Sequence, residues 1–140
     1  MQTLCALLLF LASLSASAVS IEVIGREIKP IFSHEIDADL SKSVGYHTIL
    51  EFETAVLKYE GTEAGIVSIN NLKNEIEVIS DKEMLSYGWC YSVNDLAPDF
   101  MPDQIFFTSQ KDILKWFYAY SEYKNGVWVS QCVPVVRRSH

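Results

Sequence analysis

Tyr87, Trp89 and Tyr91 stand at alternate positions of one apolar run, Tyr87-Gly88-Trp89-Cys90-Tyr91-Ser92-Val93. Extended backbone sends alternate side chains to opposite faces, so the three rings share one face while Gly88, Cys90 and Ser92 share the other. Such a row of rings can cover a planar ligand, and it can equally pack on a helix. A second cluster, His34-Glu35-x-Asp37-x-Asp39, gathers oxygen and imidazole ligands, but it lacks the D-x-D-x-D-G loop with a terminal Glu that holds calcium. It reads as a solvated acidic strand edge that discourages edge pairing, and no metal site is expected. A third group is the loop Asn94–Gln104, NDLAPDFMPDQ, in which Pro98, Phe100, Met101 and Pro102 put bulky apolar groups on a turn-rich connection. Phe100 and Met101 either fold under the sheet or mark a protein contact.

Catalytic chemistry finds little to work with. No G-x-S-x-G, H-E-x-x-H, C-x-x-C, P-loop or dinucleotide fingerprint occurs, and His34, His47 and His140 lie in no motif spacing with a nucleophile. His47, at the start of a helical pattern, reads as a surface or capping residue. No catalytic residue and no cofactor is assigned, and the chain is expected to be a non-enzymatic binder.

The cysteines indicate a compartment. Leu4–Leu14 is an apolar run without charge, followed by Ser15-Ala16-Ser17-Ala18. This is the form of a secretory signal with a small-residue cleavage site, here after Ala18, although Met1-Gln2-Thr3 carries no Lys or Arg. A retained membrane anchor needs about 20 apolar residues, and Ser20 and Glu22 end the run too soon. No membrane insertion is expected once the leader, residues 1–18, is removed. Cys5 leaves with it, and Cys90 and Cys132 remain in a chain bound for a secreted or periplasmic, oxidising location. They are expected to form a disulfide. Closing that loop stabilises by about 3 to 4.5 kcal/mol in the chain-entropy model.

Composition bounds the rest. The 140 residues are 49% apolar and 21% charged, enough for one folded domain over residues 19–140. The net charge of −7, with lysines scattered singly, excludes nucleic acid and anionic membranes as natural partners.

These residues need elements to position them. Ser20–Ile28 and Pro30-Ile31-Phe32 suggest an N-terminal hairpin or two short strands. Ile49, Phe52, Val56 and Tyr59 recur at helical spacing, predicting a helix over about His47–Glu60 with Gly61 as its stop. Strand-like pieces follow at Gly65–Ile69, Ile76–Ile79, Tyr87–Val93, Gln104–Thr108, Ile113–Tyr123 and Val127–Val133. Ile113–Tyr123 also fits a helix capped by Ser109, but its aromatic content and the Asn125-Gly126 turn favour a strand. A type I′ turn at Asn125-Gly126 would set Lys124 opposite Val127, Tyr123 opposite Trp128, Tyr120 opposite Gln131 and Ala119 opposite Cys132. The expected class is α+β: one main helix on a mixed or antiparallel sheet of about five strands in a β-grasp-like order, with an extra C-terminal hairpin.

Three blocks, Ala64–Asn71 (AGIVSINN), Tyr87–Asp95 (YGWCYSVND) and Lys111–Tyr118 (KDILKWFY), resemble in order and spacing the transcobalamin-like C-terminal domain family. The resemblance covers roughly Ser43–Tyr120. Asn71 and Asp95 stand where that family has turn glycines, and Gln110-Lys111 where it has Gly before Asp112. Asn and Asp tolerate the left-handed backbone such turns need. In the animal cobalamin carriers this domain closes over one face of the corrinoid and a larger helical domain covers the other. The resemblance therefore implies a β-grasp-like domain, a corrinoid or similar planar ligand near Trp89, and a separate helical protein domain as partner. The alternative is a protein-interaction or surface-display module without a small-molecule ligand.

Overall fold

The computed structural model describes residues 17–137; the expected leader up to Ala16, Cys5 with it, and His140 lie outside the described residues. Strand β1 (Val19–Ile24) pairs antiparallel with β2 (Phe32–Ile36), as the hairpin pattern suggests. Helix α1 (Val44–Thr54) follows, then β3 (Tyr59–Thr62), β4 (Gly65–Ile69) and β5 (Leu72–Lys73). The remaining strands are β6 (Glu75–Ser80), β7 (Glu83–Val93), β8 (Ile113–Lys124) and β9 (Val127–Pro134).

The main sheet runs β2-β1-β8-β7-β6, with β9 also on β8, and β3-β4-β5 form a separate three-stranded sheet. Among the described strands of this sheet only β1 and β8 pair in parallel; the other neighbours are antiparallel. The β-grasp expectation is therefore corrected. The chain is mostly strand, and the inner face of the curled main sheet is covered jointly by the short helix and the small sheet. Trp116 on β8 donates its indole N–H to Thr48 Oγ1 of α1 (2.9 Å), and Tyr118, two residues on, donates its hydroxyl to Lys73 O of β5 (2.8 Å).

The physical reason lies at the helix end. Ser43 caps the N-terminus, its Oγ accepting from Tyr46 N at 3.0 Å. At the other end Leu57 N donates to Phe52 O and Val56 N to Glu53 O, a Schellman closure in which Val56 takes the left-handed conformation (φ 56°). The helix stops there, six residues before the expected Glu60, and Tyr59, counted by spacing as helical, begins β3. The chain so released begins β3, the first strand of the small sheet. The turn before β4 comes so close to the helix that a Cβ on Gly45 would lie 1.9 Å from Glu63 O.

Asn125 and Gly126 both have positive φ, and Lys124–Val127 and Tyr123–Trp128 face each other as the turn requires. Beyond them the register slips twice, so Tyr120 faces Val133 and Ala119 faces Pro134, not Gln131 and Cys132. Cys132 sits in the slipped segment with φ 51°, its N–H donating to Ser121 Oγ. Since β7 and β9 flank β8, flat strands would hold them about 9.5 Å apart. Bulging folds β9 over β8 instead, and the Cys90–Cys132 disulfide joins β7 to β9 with its Cα atoms 6.0 Å apart. The short strand expected at Gln104–Thr108 is a 3-10 turn, Pro102–Gln104, followed by a single bridge from Phe106 to Ser43.

Two exchanges at opposite ends of α1 should act in opposite directions. Val56 is 89% exposed, so Val56→Gly loses no packing and relieves a β-branched left-handed residue; urea unfolding should show a gain of about 0.5 to 1 kcal/mol. Gly45→Ala should cost about 2 to 3 kcal/mol by forcing helix and turn apart. The Cys90→Ser/Cys132→Ser variant should lose about 3 to 4 kcal/mol in the same assay, as a 42-residue loop predicts.

Candidate binding site

The inner face of β7 carries Tyr87, Trp89 and Tyr91, and β8 lays Trp116, Tyr118 and Tyr120 beside them. Tyr87 stacks on Tyr118 at 6.1 Å, Trp89 meets Tyr118 edge-on at 5.5 Å, and Tyr91 lies 5.3 Å from Trp116. Arg26, from the β1–β2 connection, covers the other side of this stack, its guanidinium 5.0 Å from the Tyr118 ring and 5.7 Å from Tyr87. Each polar tip has a partner: Trp89 Nε1 donates to Leu72 O (2.7 Å), Tyr87 OH to Glu77 Oε2 (2.8 Å) and Tyr91 OH to Phe100 O. Trp89 is 9% exposed. Burial, and then the Asp103 carboxylate, hold the Tyr91 phenol above its ordinary pKa, so it stays protonated.

The loop after β7 is anchored from beneath and open above. Tyr91 holds the Phe100 carbonyl and Pro102 is buried, yet the Phe100 and Met101 side chains are 62% and 59% exposed. A concavity of about 420 Å³ brings Trp89, Tyr91, Phe100, Met101 and the Cys90–Cys132 bridge together, closed on one side by Ala64-Gly65-Ile66. Trp89 and Tyr91 from the strand and Phe100 and Met101 from the loop, separate candidates in the sequence, thus line one site, whereas Tyr87 does not line it. Ile66 was not foreseen as a lining residue. It reads as an ordinary strand position, and only the docking of β4 on β7 brings it there.

The acidic cluster is dispersed by the fold. His34, on edge strand β2, binds Glu51 of α1 (Nδ1 to Oε1, 2.6 Å), and Asp39 accepts from Ser41 N and Oγ in a local turn. Among the described residues no three His, Cys, Asp or Glu side chains group as a metal site. His47 is not at the surface: it lies within α1, buried against Phe107, with Nε2 2.8 Å from Asp39 O. The reason is that α1 starts at Val44, three residues early, which turns position 47 inward.

Asp112 organises the entry to β8. Buried beside Asn94, it accepts from Asn94 Nδ2 (3.0 Å), Thr108 N (2.8 Å) and Ser109 N (3.3 Å), while Asn94 Oδ1 accepts from Ile113 N (2.8 Å). Burial works against its charge, but the hydrogen bonds from Asn94, Thr108 and Ser109 outweigh it and hold the carboxyl below the ordinary 3.8. Because the folded pKa is depressed, this contribution is complete above the unfolded value and is lost as pH falls from 3.8 through the folded one. Asp112→Asn should lower stability near neutral pH by about 2 kcal/mol. Unfolding curves should show the gap to the parent closing only in acid, below about pH 4.

Neither a protein-family profile nor a curated protein matches this chain. Among solved structures, a "putative metal binding protein" from Ruminococcus gnavus superposes with a TM-score of 0.47 at 19% identity, over 79% of this chain and 99% of that one.

Proposed function

We propose that this chain is a secreted, non-enzymatic domain that binds another protein. The observation that carries the reading is the Asn94–Gln104 loop: tied down through Tyr91 and Pro102, it still presents Phe100 and Met101 to solvent. A rigid loop with two large apolar side chains loses little conformational freedom on docking and removes much apolar surface from water. Secretion, to the periplasm or outside the cell, is supported by the Cys90–Cys132 disulfide together with the apolar run and Ala16-Ser17-Ala18 of the sequence. No described helix is long and apolar enough to cross a membrane.

A non-catalytic role is supported by the positions of the acid–base groups. His34 faces Glu51, His47 a main-chain carbonyl, and Cys90 and Cys132 each other. The transcobalamin-like reading, with a corrinoid on Tyr87, Trp89 and Tyr91 and a separate helical domain completing the cage, has less support. Those rings pack against Trp116 and Tyr118 of β8, with Arg26 over Tyr87 and Tyr118, and their polar tips are bonded within the chain.

A photo-crosslinking residue at position 100 should trap one discrete protein from the medium or envelope of the producing cells, and the same residue at exposed Lys82 should not. Phe100→Ser/Met101→Ser should weaken the trapped complex at least tenfold, about 1.4 kcal/mol, with an unchanged urea midpoint. Equal labelling from both positions, or a saturable tryptophan response to micromolar cobalamin that the double variant retains, would overturn the proposal.

A further inference from the structure

The open edge of β7 adds a mode of recognition to the protein-binding reading, on which it rests. β6 pairs with β7 only from Glu83 to Tyr87, where the ladder ends at Glu75. The chain preceding Glu75 leaves the sheet plane at Asn74, because Lys73 O takes the Tyr118 hydroxyl and Leu72 O the Trp89 indole on the inner face. No described strand continues the sheet beyond Tyr87 on that side. The direction of the main-chain groups there follows from the neighbouring bonds. Asn94 N donates to Ile113 O on the β8 side, whereas Val93 exchanges both its bonds with Leu96 on the outer side. Antiparallel strands alternate residue by residue, so Tyr91 and Trp89 turn their N–H and C=O outward like Val93.

Side chains shape a trough along this edge. The concavity beside Phe100 and Met101 continues into a second one, of about 690 Å³, through the shared residues Ile66, Trp89 and Cys90. No Lys, Arg or His lines either part; Asp99 stands at one end and Glu75 at the other. In a chain of net charge −7 this selects against acidic occupants.

We infer that the edge of β7 from Gly88 to Ser92 binds an extended, basic segment of the partner protein as an added antiparallel strand. Main-chain bonds to Trp89 and Tyr91 supply the pairing, an apolar side chain rests against Phe100 and Met101, and a Lys or Arg side chain meets Asp99, since Glu75 already faces Arg26 at 3.4 Å.

The test pans the full oxidised protein against a displayed library of random dodecapeptides and follows the enriched sequences as synthetic peptides. Enriched peptides should alternate bulky apolar residues with Lys or Arg. Their binding should slow amide exchange at Trp89 and Tyr91 at least tenfold and leave Val93 unchanged. Asp99→Lys should weaken them at least threefold without altering the unfolding midpoint. No enrichment, enrichment of acidic sequences, or binding that leaves the Trp89 and Tyr91 amides exchanging at their free rate would overturn strand addition. Those results leave the crosslink from position 100 as a separate observation, so a partner trapped there with unprotected edge amides would sink this inference alone. Absence of both signals would sink both readings.

Discussion

A strand has two hydrogen-bonding edges, and β8 serves three neighbours. β7 takes one edge over nearly its whole length, so β1 and β9 must divide the other: β1 along Ile113–Phe117, β9 along Ala119–Lys124. The two meet near Tyr118, where neither can pair on. β9 escapes by bulging over the sheet, and the disulfide fastens it there to β7. Asp112 and Asn94 fix the other end of β8, and Asp112 O also receives Ser20 N of β1. The other five strands of the main sheet are thereby referred to one.

The same strand carries both covers of the inner face. Trp116 holds the helix through Thr48 and Tyr118 holds β5 through Lys73. Buried Trp and Tyr remove large apolar areas from water but need partners for their polar tips, and here the covering layer supplies a threonine hydroxyl to one and a main-chain carbonyl to the other. The consequence for binding is geometric. Drawing β5 inward leaves the outer edge of β7 without a strand, and holding Phe100 by its carbonyl turns its side chain outward. The aromatic row that first suggests a ligand platform is thus what shapes a different surface beside it.

Local signals were legible where one bond pattern dominates. Asn125-Gly126 accepts positive φ at both positions, and the two nearest pairs followed from it. Asn71 and Asp95, read as tolerant of left-handed backbone, have φ of 66° and 65°. The periodicity of Ile49, Phe52, Val56 and Tyr59 misled, because a left-handed Val56 is not expected of a β-branched residue and its helix-ending bonds leave no mark in composition. The β-grasp order failed with it, since Tyr59 and Glu60, freed by the early stop, begin β3, the first strand of the second sheet.

What was legible in the sequence was alternation and turn chemistry, each set by neighbours along the chain, and the expected pairing of Cys90 with Cys132. Which face of β7 would be buried, where β9 would slip, and that Trp89, Tyr91, Phe100 and Met101 would border one concavity were decided by tertiary structure. Those outcomes depend on competition between distant strands for the edges of β8. Such competition is settled by total burial and hydrogen bonding over the whole fold, and no local window of residues contains it.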